Sequence, residues 1–247
     1  MYNLLYKKNN MKVLINYADI KYFQSQKLNS YTGQLIAGFD KVIEYSKKDI
    51  DTDFLNKNQE IINNNRGAGY WIWKPYIILK TLKELNYGDI LFYCDSGSYF
   101  VNKIDHLIPL LDKQDIISFV LDKEHTNKRW TKRDTFILMN LDKPEYINQT
   151  QILATFQLIK KTDFTLKFYT EYLEYAQNKN IITDLPNICG LPNYKEFVDH
   201  RHDQSIFSLL IRKYNLDVFR DPSQWGNNHK LENSTYPQII FLTRNKN

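Results

Sequence analysis

Short β-rich apolar runs alternate along this chain with segments whose apolar residues recur at helical spacing, and that alternation limits the fold more than any other feature. The runs are "KVLINYA" (12–18), "GFDKVIEYS" (38–46), "NYGDILFYCDSGS" (86–98) and "DIISFVL" (115–121). Between and after them lie a mixed, helix-compatible stretch reaching about residue 37, a polar segment at 51–65, and "PYIILKTLKEL", where Ile78, Leu82 and Leu85 share a face. Two stronger amphipathic patterns follow, "TDFTLKFYTEYLEYAQNKN" (162–180) and "DQSIFSLLIRKYN" (203–215). Strands alternating with helices predict an α/β fold with a mostly parallel central sheet flanked by helices. Pro75 fits the first position of a helix, where its missing N–H costs nothing. No internal repeat or Pro/Gly/Ser-rich linker divides the 247 residues, so one domain is expected.

Composition excludes several classes. No apolar run reaches the length needed to span a bilayer, and the first residues do not form a signal peptide. Cys94 and Cys189 form neither a CxxC pair nor a disulfide framework, so a cytoplasmic, reducing setting is expected. The formal charge of +5 suits an anionic ligand, an anionic membrane surface or nucleic acid, without choosing among them.

Three clusters carry chemistry. In "LFYCDSG" a buried-looking run ends on Asp95, which puts a carboxylate at the carboxyl edge of a strand, where open α/β sheets bind ligands. Ser96 and Gly97 follow in a tight turn. Asp95 suits a hard divalent cation held partly by phosphates, or else caps the next segment. In "HRHDQS" (200–205), Asp203 stands near a helix start, with His200, Arg201, His202 and Gln204 beside it. It is a candidate general base or hydroxyl-orienting group, and equally a helix cap. In "RGAGYWIWKP" (66–75), Arg66 and Lys74 bracket a glycine-containing loop that leads into a helix, an arrangement that can hold phosphate. It lacks the spacing and the Ser/Thr of a Walker motif. Trp71 and Trp73, two residues apart, are expected to face different ways, at least one of them into the core.

"RGAGYWIWKPYIILKTL", "GDILFYCDSG" and "HRHDQSIFSLL", in that order, resemble motifs of bacterial and viral polysaccharide glycosyltransferases with a GT-A fold. The likeness covers roughly residues 60–225. It implies a Rossmann-like GT-A domain, with a donor-binding part at about 10–120 and an acceptor-side part at about 121–247. It also implies a nucleoside-diphosphate sugar donor and a glycan or glycolipid acceptor. By this resemblance Asp95 takes the place of the first carboxylate of the DxD motif, and Arg66, Lys74, Ser96 and Gly97 join it around the donor. Asp203 becomes the candidate catalytic base, with His202 and Gln204 on the acceptor side. A divalent cation, Mn²⁺ or Mg²⁺, is implied, yet Gly97 stands where the second carboxylate belongs. His229, in "SQWGNNHK", is a candidate second ligand, because related folds often bring a C-terminal histidine to the metal. Contact with a membrane periphery stays open.

"EHTNKRWTKRDTFILMN" (124–140) surrounds Trp130 with Lys128, Arg129, Lys132 and Arg133. For a transferase it suits an acceptor loop, with Trp130 stacking on a sugar and Asp134 accepting a hydroxyl hydrogen bond. The alternatives are a solvated charged loop, a nucleic-acid-binding surface, and a sugar-nucleotide fold without activity.

Overall fold

Alternate side chains along the strands enter two separate cores, which sets the sheet in the middle of the molecule. The computed structural model describes residues 10–243. From β1 (Lys12–Tyr17) and β3 (Ile90–Cys94), Val13, Ile15, Tyr17, Leu91 and Tyr93 pack into one hydrophobic cluster. Leu14, Ile90, Phe92 and Cys94 from the same strands join the other. With both faces covered, β3 is buried at all five positions and reads as a continuous apolar run.

The remaining strands are β2 (Lys41–Tyr45), β4 (Ser98–Phe100), β5 (Ile116–Val120), β6 (Ile152–Lys160), β7 (Val218–Arg220) and β8 (Ile240–Leu242). The six-stranded sheet runs β2-β1-β3-β6-β5-β7, and β4 pairs with β8 in a separate ribbon. β1 pairs in parallel with β2 and β3, and β5 with β7. β6 lies antiparallel between β3 and β5, so the expected mostly parallel sheet is mixed at its centre. Because β6 is antiparallel, its first residues reach the edge where β1 and β3 end.

Four longer helices complete the layers: α1 (Phe23–Thr32), α2 (Trp73–Glu84), α3 (Asp163–Ala176) and α4 (Asp203–Lys213). α2, α3 and α4 pack together over one face of the sheet. α1 covers part of the other, and it buries amides in place of apolar side chains. Asn16 Nδ2 donates to Asn29 Oδ1 at 2.8 Å, and Gln26 Nε2 donates to Asn16 Oδ1 at 3.0 Å and to the Tyr45 carbonyl at 2.9 Å. Among the described residues no helix is long and apolar enough to cross a membrane.

The stretch 67–71 is one turn of left-handed backbone. Gly67, Ala68, Gly69, Tyr70 and Trp71 have φ of 58°, 50°, 98°, 53° and 59°. Each non-glycine residue so placed costs about 1–2 kcal/mol. The turn is held by Tyr70 N–H donating to the Arg66 carbonyl at 2.7 Å, and by Trp73 Nε1 donating to the Gly67 carbonyl at 3.0 Å. Its glycines answer to sterics as well as to φ. A Cβ at Gly67 would lie 2.3 Å from the Trp71 ring, and one at Gly69 would lie 2.7 Å from the Ile62 Cα. α2 therefore begins at Trp73, and Pro75 occupies its third position, not its first. That position still falls among the N–H groups a helix start leaves unpaired.

Gly69→Ala should lower stability by about 2–4 kcal/mol, combining strain with a backbone clash. Gly38 also has a positive φ of 79°, with nothing within 4 Å of a new Cβ. Gly38→Ala should cost only about 1 kcal/mol. Urea unfolding of both variants checks this, and equal losses would contradict the clash.

Candidate active site

β1 and β3 end side by side, and the segments that follow open a cleft of about 580 Å³ at the carboxyl edge of the sheet. The left-handed turn and the starts of α2 and α4 form its other walls. Such a volume is typical of a pocket for a cofactor-sized molecule. The cleft draws on both halves of the chain, from Tyr17 to Gly97 and from Ala154 to Leu242.

At its floor lies a buried ammonium between two carboxylates. Lys74 is the second residue of α2, and its side chain is 3% exposed. Its Nζ stands 2.7 Å from Asp203 Oδ2 and 3.5 Å from Asp95 Oδ1. Asp203 is the first residue of α4, and Asp95 directly follows β3, so two helix starts and one strand end meet at this point. Two buried tyrosines close the network. Tyr93 donates its hydroxyl to Asp95 Oδ1, and Tyr172 donates to the Asp203 carbonyl at 3.0 Å and to its Oδ2 at 3.4 Å.

Burial and pairing oppose each other here. Burial drives the Lys74 pKa down, but the two carboxylates outweigh it, so the ammonium is held above its ordinary range. At Asp203 burial prevails over the attraction of Lys74, and the carboxyl is pushed up to about 6. Asp203 thus titrates near neutrality, as a proton acceptor in catalysis must. Burial also lowers His202, to about 4, so its ring is neutral. His202 Nδ1 donates to the Ile182 carbonyl at 2.8 Å, while its buried Nε2 has no hydrogen-bond partner. Its backbone is strained, with φ 51° and ψ −118°. Its ring sits against Tyr70 and Trp71, tying the start of α4 to the left-handed turn.

Eight expected site residues line the cleft: Arg66, Lys74, Asp95, Ser96, Gly97, His202, Asp203 and Gln204. Several are already engaged. Arg66 pairs with Asp199 at 2.6 Å and Asp184 at 3.2 Å. Ser96 Oγ donates to the Tyr17 carbonyl at 2.6 Å. Gln204 Nε2 donates to Gln151 Oε1 at 2.9 Å. Trp71 and Trp73, expected to face apart, both line the cleft, Trp73 stacked on Tyr17 with ring centres 3.8 Å apart.

Trp130, Asp134 and His229 do not line it. Asp134 is buried, and although burial raises a carboxyl, N–H donors from Ile188 and Cys189 hold it below its usual range. That carboxylate organises a loop. Trp130 packs against His125, and the Arg201 guanidinium lies 4.0 Å from its ring centre. Since Arg201 lines the cleft, Trp130 touches the site through it. Each basic residue around Trp130 has a partner close by. Lys128 pairs with Glu196, Arg129 with Glu124 and Arg133 with Asp142, while Lys132 donates to the Leu185 carbonyl.

The divalent cation implied by the DxD resemblance would find few free ligands among these residues. Asp95 Oδ1 already faces Lys74 and Tyr93, Asp19 Oδ1 accepts the Lys21 N–H at 2.9 Å, Gly97 offers no carboxylate, and His229 lies outside the cleft. Among the described residues no group of three or more His, Cys, Asp or Glu side chains is arranged to hold a metal.

The sequence reading passed over Tyr17, Asp19, Lys21 and Tyr22, which line the cleft just beyond β1. The signal was the end of "KVLINYA", a strand stopping short of Asp19 as "LFYCD" stops at Asp95. Ala154 and Thr155 were missed with β6, although "ILATFQLIK" is a nine-residue apolar-rich strand.

Lys74→Met should cost about 3–5 kcal/mol near neutral pH, because it strands two carboxylates at the cleft floor. A raised carboxyl pKa means the folded state binds the proton more tightly than the unfolded chain. Asp203 therefore favours folding most below about pH 4 and loses that contribution as pH rises through about 6. The loss in Lys74→Met should accordingly be smaller at pH 5 than at pH 8, measured by urea unfolding at each. Equal losses would separate Lys74 from the charge of Asp203.

No family model matches the chain, and no curated protein matches its sequence. Among solved structures, mouse xyloside xylosyltransferase 1 in its apo form is similar at 10% identity, covering 94% of this chain and 97% of that one with a TM-score of 0.48. That likeness is too slight to carry any statement about the site.

Proposed function

We propose that the chain is a glycosyltransferase that moves a sugar from a nucleoside-diphosphate sugar to a hydroxyl of a glycan or glycolipid, in the assembly of a surface polysaccharide or a glycoprotein glycan. One observation carries the reading. Three motifs far apart in sequence converge on a single cleft, with the Lys74 ammonium between the carboxylates of Asp95 and Asp203. The polysaccharide assignment rests on the resemblance of those motifs alone.

In this reading the donor diphosphate lies across the starts of α2 and α4, whose positive dipole ends favour an anion. Arg66 and Arg201 flank it, Arg66 exchanging its Asp184 and Asp199 partners for phosphate oxygens. In transfer the bond from the sugar's anomeric carbon to the diphosphate oxygen breaks, and a bond to the acceptor oxygen forms. The acceptor proton passes to the Asp203 carboxylate, and the nucleoside diphosphate leaves with the bonding electrons. Lys74 stabilises that developing charge without having to move. His202, buried against Tyr70 and Trp71, positions the start of α4 beside the turn. Trp130 and Asp134 have no direct part in these steps.

The test is a panel of UDP-, GDP-, CDP- and dTDP-sugars with glycan acceptors, following release of the nucleoside diphosphate. One donor family should turn over, with kcat/KM falling on the acid side as Asp203 takes a proton near pH 6. Asp203→Asn should lower kcat by about 10²–10⁴-fold and abolish that limb. Arg66→Ala should raise the donor KM about tenfold and leave the fold intact. A folded protein that neither binds nor turns over any nucleotide sugar would refute the reading.

A further inference from the structure

We infer that this site handles its donor without a divalent cation, and that Lys74 is the resident positive charge beneath the diphosphate. The inference rests on the transferase reading and deepens it.

A hard dication held at such a site needs free carboxylate oxygens and room for several more oxygen ligands. Here the space between the Asp95 and Asp203 carboxylates is occupied by an ammonium, 2.7 Å from Asp203 and 3.5 Å from Asp95. A dication set beside that ammonium would meet direct repulsion from it. Lys74 has little freedom to leave. Its stem is buried in the first turn of α2, and its Nζ lies over the Tyr93 ring at 5.3 Å from the centre. The neighbouring hydroxyls are also engaged, Ser96 with the Tyr17 carbonyl and Ser98 with the Asp95 carbonyl.

Four basic and four acidic side chains line the cleft, so the protein by itself carries no surplus of charge there. A lysine has three N–H donors, and two carboxylates leave one for a phosphate oxygen. Under this inference Asp95 is a positioning residue. It holds Lys74 in place and ligates no metal, which also accounts for the absence of a carboxylate at position 97.

The experiment is calorimetric titration of the whole chain with UDP, GDP, CDP and dTDP, in EDTA and again in Mn²⁺. At least one diphosphate should bind in EDTA, and Mn²⁺ should change its Kd by less than about threefold. Lys74→Ala should weaken binding in EDTA by at least about tenfold. Asp95→Asn, which keeps the shape and leaves Asp203 to hold the ammonium, should stay within about fivefold of the natural protein. Binding that requires Mn²⁺, or tightens more than about tenfold with it, overturns the inference and leaves the transferase reading standing. No binding in either buffer, by a protein folded by circular dichroism, overturns both.

Electron paramagnetic resonance of free Mn²⁺ gives a second readout that does not need a folded Lys74 variant. With the natural chain and the diphosphate, the free Mn²⁺ signal should match that of the diphosphate alone. A further loss equal to one ion per chain overturns the inference.

Discussion

One ammonium between two carboxylates holds this architecture's functional edge together. Lys74 is fixed by α2, Asp95 by β3 and Asp203 by α4, so the ion pairs pin two helix starts to the end of a central strand. A buried charge costs several kcal/mol unless it is paired, and the geometry here leaves Lys74 no other partner of comparable strength. The same pairing sets the chemistry. It holds the lysine charged, while at Asp203 burial prevails over the pairing and pushes the carboxyl up to about 6.

The left-handed turn exists to deliver Lys74 to that place. Five successive residues with positive φ reverse the chain ahead of α2, and only Gly67 and Gly69 fit without a Cβ against Trp71 or Ile62. The bulky residues in the same stretch then work as anchors. Tyr70 and Trp71 pack on His202, and Trp73 stacks on Tyr17, so the turn is braced from both sides of the cleft. Small residues supply the backbone path, and large ones supply the burial that offsets its strain.

Much of this was legible in the residues. Strands 1, 2, 3 and 5 and the helices at 73–84, 163–176 and 203–213 follow the expected runs, because apolar spacing records which faces are buried. The run "LFYCD" marked Asp95 for a strand's carboxyl end, while the meeting of the three motifs at one edge was implied by the family resemblance. Other features left no local mark. β6 was missed, and its antiparallel insertion depends on a pairing between distant segments. α1 escaped a firm reading because it buries Gln26 and Asn29 in an amide network, not an apolar stripe. The partners of Arg66, Lys74 and the basic residues around Trp130 come from segments distant in sequence. Residue type showed charge there, and only the fold showed that the charge was already compensated.

The most direct measurement is a crystal structure of the chain grown with a nucleoside diphosphate and soaked in Mn²⁺, with anomalous data collected at the manganese edge. Lys74 Nζ should still lie between Asp95 and Asp203, with the phosphates above it and no anomalous peak at either carboxylate. A manganese peak bridging Asp95 and the diphosphate, with Lys74 turned away, would contradict it.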